Sequence, residues 1–239
     1  MKFDPEILSY LSGEKFSKAL KIKISEKEKT IPLRMDYIEK LVVNKQIIHL
    51  GCADHIPLIK EKIRRNKWFH KRLVESSKRC LGIDIHREAI EYIKNELGYS
   101  DVLAVDIQKN DILKEISGQK WDYLIMGELL EHLDEPVDFL KTIKEKYSSY
   151  ISYLIVSAPN ALRIENYHNS KKLLEVINSD HRFWFTPYTL AKILYRAGFE
   201  VESFQFCQGY KLPANQVFKK RLLRKYPAFR DTIIMIAKF

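Results

Sequence analysis

The apolar positions change character along the chain. Over residues 1–30 they are mixed with polar ones, and Glu6 to Leu11 reads as a short helix. From residue 46 a regular alternation begins. Short apolar runs, QIIHL (46–50), CLGIDI (80–85), DVLAVDI (101–107), DYLIMG (122–127) and ISYLIVSAPN (151–160), have the length of buried strands. Between them lie stretches of helical period. IPLIKEKI (56–63) opens on Pro57 and repeats Ile59 and Ile63. REAIEYIKNELG (87–98) puts Ile90, Ile93 and Leu97 on one face and stops at Gly98. EPVDFLKTIKEKY (135–147) lines up Leu140, Ile143 and Tyr147. TPYTLAKILYRAGF (186–199) has a Thr186 cap, Pro187 in its first turn and Gly198 at its end. EVESFQF (200–206) and DTIIMIAKF (231–239) supply two last strands. Strands alternating with helices of this length predict βαβ units, hence a doubly wound, mostly parallel α/β sheet covered on both faces. Residues 1–40 read as an N-terminal helical extension, 41–239 as the main domain, and 207–230 as an insertion before the last strand.

The length of 239 residues suits one domain with appendages and needs no covalent staples. Three scattered cysteines, Cys52, Cys80 and Cys207, form neither a disulfide framework nor a zinc motif. They fit a reducing compartment, and we expect small buried hydrophobes without a redox role. No apolar run reaches about 18 residues, and the first residues lack the apolar core of a signal peptide, so a cytoplasmic protein without a membrane span is expected. The net charge of +10 favours anionic partners. Much of the excess sits in KEKIRRNK (60–67) and KKRLLRK (219–225), where solvated helix faces are the plainer reading and nucleic acid, a phosphorylated sugar or a membrane surface the functional ones.

In such a sheet ligands bind beyond the carboxyl ends of the strands. Gly51 to His55 follow the first strand with small residues that permit close approach of a ligand. Asp84 ends the second strand, where a carboxylate accepts hydrogen bonds from a ribose diol. Asp106 ends the third, placed to accept from an adenine amino group. Matched acids after consecutive strands point to an adenosine-containing ligand. Neither a three-glycine dinucleotide loop nor a GxxxxGK[ST] phosphate loop is present.

The succession HLGCADH (49–55), GIDI (82–85), AVDI (104–107) and WDYLIMGELLEHLDEP (121–136) resembles the class I S-adenosylmethionine-dependent methyltransferases over residues 46 to about 206. GELLEHLDEP (127–136), SAPNALRIENY (157–167) and DHRFWFTPYTLAKILYRAGFEVESF (180–204) are similar to a branch containing ubiquinone-biosynthesis and polysaccharide-associated sugar methyltransferases. The resemblance implies a seven-stranded sheet with the last strand antiparallel, S-adenosylmethionine as cofactor and S-adenosylhomocysteine as product. It also implies O-methylation of a sugar, a nucleotide-sugar or a sugar-linked group. Carried over by position, Gly51 and Ala53 form the methionine-side loop, and Asp84 takes the ribose hydroxyls with Ile85 on the adenine. Asp106 and Ile107 meet the adenine edge, and Glu128 lies beside the sulfonium. The chain departs from the family pattern at His49, where an acid is usual, and at Ala53 and His55, where glycine is usual.

A hydroxyl acceptor needs a base, and His132 and His181 are the candidates. The basic insertion 207–230, with Arg221 and Arg224, is a candidate for acceptor binding. His49 reads as a core or rim histidine. Trp68, Phe69 and His70 read as an aromatic-anchored loop, or else as a wall of the substrate pocket. Two further readings differ in class. Glu128, Glu131, His132 and His181 resemble the metal site of the small-RNA 3′-terminal 2′-O-methyltransferases, with the basic tail on RNA phosphates. A non-catalytic S-adenosylmethionine-binding subunit or sensor is the other.

Overall fold

The computed structural model describes residues 1–239. In chain order the elements are α1 (Pro5–Ser12), α2 (Arg34–Val42), β1 (Gln46–Leu50), α3 (Ile56–Arg64), α4 (Phe69–Ser76), β2 (Arg79–Asp84) and α5 (Arg87–Asn95). Then come β3 (Val102–Ala104), α6 (Lys114–Ser117), β4 (Trp121–Gly127), α7 (Pro136–Tyr147), β5 (Ile151–Pro159) and α8 (Ile164–Ser170). The chain closes with α9 (Pro187–Arg196), β6 (Glu200–Cys207), α10 (Val217–Lys225) and β7 (Thr232–Lys238). One seven-stranded sheet runs β3-β2-β1-β4-β5-β7-β6. Its first five strands are parallel, and β7 is antiparallel to both β5 and β6. No helix is long and apolar enough to cross a membrane.

Strand period two divides the apolar residues between two cores. Ile48, Leu124, Leu154 and Met235 face the larger one, with α1, α7 and α9. Their chain neighbours Ile47, Ile125, Ile155 and Ile234 face the smaller one, with α2 and α4. That is why these strands read as unbroken apolar runs rather than alternating ones. The predicted start of α9 is observed: Thr186 Oγ1 accepts from Thr189 N (3.2 Å), and Thr189 Oγ1 accepts from Thr186 N (2.8 Å).

Two expectations change. The third strand is only three residues long, because the Asp106 carboxylate accepts from Gln108 N (3.0 Å) and Lys109 N (3.3 Å) and turns the chain. The stretch Trp68 to His70 is not a loop; Phe69 opens α4, and the three buried aromatic residues form part of the wall of a cleft, in line with the other reading. Residues 34–42, at the end of the expected helical extension, form the helix α2. It is fastened to α4 by Arg72, which bonds Glu39 and Asp36 (2.8 Å to Asp36). Residues 1–12 pack their Ile7 and Leu11 into the larger core.

Candidate active site

Strand order reverses between β1 and β4, where a doubly wound sheet opens its crevice. A cleft of about 1300 Å³ lies there, across the carboxyl ends of β1 to β4. It brings together every cofactor residue expected from the sequence, namely Gly51, Ala53, Asp84, Ile85, Asp106, Ile107 and Glu128, and also His132 and His181.

At β1, Gly51 takes φ +76°, a left-handed turn natural to glycine, and its N–H bonds Ile83 O (2.9 Å). The chain then runs past β2, where Asp84 Oδ2 accepts from Ala53 N (2.9 Å) and Oδ1 from His86 N (3.0 Å). Asp84 thus ties the two loops together. Each of its oxygens still has acceptor capacity toward the cleft it lines. Ile85 beside it is 67% exposed, an apolar surface with no protein partner over most of its area. Ile107, by contrast, is packed into the larger core, leaving its backbone as the part available at the cleft.

At β4 the chain turns at Glu128, which adopts φ +56°. Gly127 before it is closely approached by Phe69: an added Cβ would stand 2.9 Å from the ring. Glu128 Oε1 lies 3.6 Å from Nε of Arg34, the first residue of α2. Arg34 also stacks on Phe69 (4.8 Å to the ring centre) and donates to Ser157 Oγ (3.1 Å). A guanidinium and a carboxylate therefore stand side by side in the cleft. Asp54, the other acid of the first loop, is taken by Lys62 (2.6 Å).

On the far wall Leu130–His132 forms a single 3₁₀ turn, so residues 128–133 are not one helix. His132 Nδ1 bonds Asp180 Oδ2 (2.8 Å), and its ring meets that of His181 edge-on at 4.6 Å. Glu131 is fully buried, and neither carboxylate oxygen has a hydrogen-bond partner. Burial pushes its pKa up to about 8. Burial and the neighbouring His132 lower that of His181, whose Nδ1 also lacks a partner. Glu131, His132 and His181 each bring a ligand atom within 4.8 Å of the others; Glu128 is not part of this group.

The profile of a methyltransferase domain matches residues 25–203, about three-quarters of the chain. The chain belongs to the methyltransferase-domain family. No curated protein matches this methyltransferase by sequence. Solved structures share its fold, which is that of S-adenosylmethionine-dependent class I enzymes. An S-adenosylmethionine-dependent methyltransferase from Archaeoglobus fulgidus is 19% identical with TM-score 0.51, covering 85% of this chain and 90% of that one. Magnesium protoporphyrin IX methyltransferase from Synechocystis PCC 6803 is 16% identical with TM-score 0.51, covering 85% and 81%. The small RNA methyltransferase HEN1 is 15% identical with TM-score 0.55, covering 93% of this chain and 27% of that one.

Two features of the methyltransferase's cleft are absent from the sequence reading. Arg34 lies outside the motif region, and no local pattern marks it among 41 basic residues. The second is a buried histidine pair at the cleft wall: His49 Nδ1 and His70 Nδ1 are 3.2 Å apart. His49, where the family usually has an acid, is thus a core histidine with a defined partner. Burial holds His70 down at about 4 and His49 well below its usual range. The unfolded chain binds protons on both below about pH 6.5, and the folded chain refuses them. Stability is therefore lost as pH falls from about 6.5 to 4, with about 3 kcal/mol from His70 alone. Denaturant unfolding of wild type and His70→Gln at pH 7 and pH 4.5 checks this. The wild type should lose more stability than the variant, and parallel losses would refute it.

Proposed function

We propose that this cleft binds S-adenosylmethionine and directs methyl transfer to a hydroxyl of a sugar or sugar-linked acceptor. The observation that carries the reading is the succession of Asp84, Asp106 and Glu128 at three strand ends of a single cleft. The residues fit the group. Asp84 keeps free acceptor capacity for two ribose hydroxyls, and exposed Ile85 offers an apolar face to the adenine. Asp106, with Oδ2 beside Lys109 (3.4 Å), stands at the adenine edge. The Glu128–Arg34 pair is complementary to an amino-acid zwitterion, with Glu128 taking the ammonium and Arg34 the carboxylate. This pair supplies the acid missing at position 49. Bound S-adenosylmethionine supplies an electrophilic methyl on a sulfonium with a neutral leaving group. The chain's own task is then positioning, together with accepting the acceptor's proton.

His181 is the better base, since burial and the neighbouring His132 lower its pKa and keep it neutral near pH 7, whereas His132 is already held by Asp180. His132, held by Asp180, orients it edge-on. The sugar reading rests on the resemblance of residues 127–136 and 180–204. Transfer of labelled methyl groups to a panel of sugars, nucleotide-sugars and lipid-linked sugars tests it. His181→Ala should lower kcat by roughly 10²–10⁴-fold with cofactor affinity retained. A panel without any methylated sugar would overturn the acceptor class.

A second reading has its own observation, the buried, unpartnered oxygens of Glu131 beside His132 and His181. One carboxylate and two imidazoles suit a divalent cation, which would polarise vicinal hydroxyls such as those of an RNA 3′ end. Calorimetry with Mn²⁺ is the check. Binding lost in Glu131→Gln, with transfer stopped by a chelator, supports the metal. No binding and chelator-insensitive transfer leave His181 as the base.

A further inference from the structure

Beside the cleft the surface departs from what water favours. Residues 171–180 are exposed throughout, yet they include Leu173 (93% exposed), Leu174, Val176 and Ile177. This segment runs straight into Asn178 to His181, which line the cleft. On α10, Val217 and Phe218 (88% exposed) are equally uncovered. The two groups are joined through α8. Lys219, next to Phe218, bonds Glu165 of α8 (2.5 Å), Ile164 packs with Leu212 and Leu223, and α8 leads into residue 171. All of this stands at the carboxyl end of β5 and β6, the end that carries the cleft. None of α10 lines the cleft itself.

The charge of this face is one-sided. The segments 163–177 and 210–226 hold nine Lys and Arg residues against two acids, Glu165 and Glu175. On α10, Leu223 is buried, while Val217, Phe218, Arg221, Arg224 and Lys225 are exposed together. A solvated helix face explains the cations but not the uncovered aliphatic and aromatic side chains among them. Phosphates of a nucleic acid pair with the cations, but Leu173, Leu174, Val176 and Ile177 offer nothing to bases or phosphates. Apolar side chains set among lysines and arginines match the boundary between headgroups and acyl chains of an anionic bilayer.

We propose that the 171–177 segment and α10 together dock on an anionic membrane surface, holding the cleft mouth against it. An acceptor carried on a lipid would then reach the cleft without leaving the bilayer. Docking itself does not depend on the acceptor reading, because it is measured without methyl transfer. The acceptor panel fails separately.

The experiment is co-sedimentation of the full chain with vesicles of phosphatidylcholine alone and with added phosphatidylglycerol. Binding is expected to the anionic vesicles only, and to weaken as salt rises. Leu173→Ser/Leu174→Ser and Phe218→Ser should each lower binding by roughly tenfold or more, with S-adenosylhomocysteine affinity unchanged. The retained affinity shows that the variants are folded. Absence of vesicle binding overturns the proposal, as does binding indifferent to these substitutions. So does concentration-dependent self-association abolished by the same substitutions, which would assign the face to a second copy. Binding of single-stranded RNA that is lost on charge reversal of Arg221 and Arg224 but untouched by Phe218→Ser, with no vesicle binding, overturns it in favour of RNA.

Discussion

Replacing Asp84 by Ala is expected to weaken S-adenosylmethionine binding by about a hundredfold. The carboxylate accepts from Ala53 N and His86 N and has capacity left for two ligand hydroxyls. Hydrogen bonds to a charged group contribute about 1.5–3 kcal/mol each, so losing two to the ribose corresponds to about two orders of magnitude or more. Asp84→Asn keeps one carbonyl acceptor and should retain part of the affinity. Calorimetry with S-adenosylhomocysteine measures both. Thermal melting of the unliganded variants separates a lost ligand contact from a loosened loop, since Asp84 joins the loops after β1 and β2. Wild-type affinity in Asp84→Ala would remove Asp84 from the site.

The largest expected loss of stability follows Gly82→Ala. Gly82 takes no unusual backbone conformation; it is glycine because three side chains converge on it. An added Cβ would stand 2.7 Å from His70 Cε1, 2.7 Å from Val102 Cγ1 and 2.9 Å from Cys52 Sγ. None of these ends a flexible chain. His70 is wedged between His49 and Trp68, and Val102 belongs to the paired strand β3. Overpacking of this kind costs up to about 3 kcal/mol. In a domain of this size that lowers Tm by about 6–12 °C. Calorimetric melting is the measurement, and Gly82→Ala/His70→Ala should recover part of the loss if the clash is with that ring. Because Cys52 follows Gly51, the same substitution should weaken cofactor binding. An unchanged Tm would mean that the three neighbours yield freely.

What was legible in the sequence is what depends on local period and local hydrogen bonding. The β1 pair Ile47 and Ile48 reads as apolar on both faces, and the cores on both faces are there. Thr186 and Pro187 mark the start of α9 by their own backbone chemistry. Asp84 and Asp106 were visible as acids ending consecutive strands, because a doubly wound sheet gathers strand ends on one side. α4 was not visible as a helix, and α2 only as part of a helical extension. Neither has a side-chain cap, and Arg72 of one holds Asp36 and Glu39 of the other.

The sequence by itself determined the strands, their ends and the acids that stand there, since strand period and turn chemistry act over a few residues. Only the tertiary structure decided the rest. It brought Arg34 beside Glu128, His70 against His49, and a buried Glu131 beside two histidines of the cleft. These contacts span 94, 21 and up to 50 positions, and their energies come from burial and from charges meeting across elements. It also left Leu173 and Phe218 in water, although burying apolar surface is what folding favours.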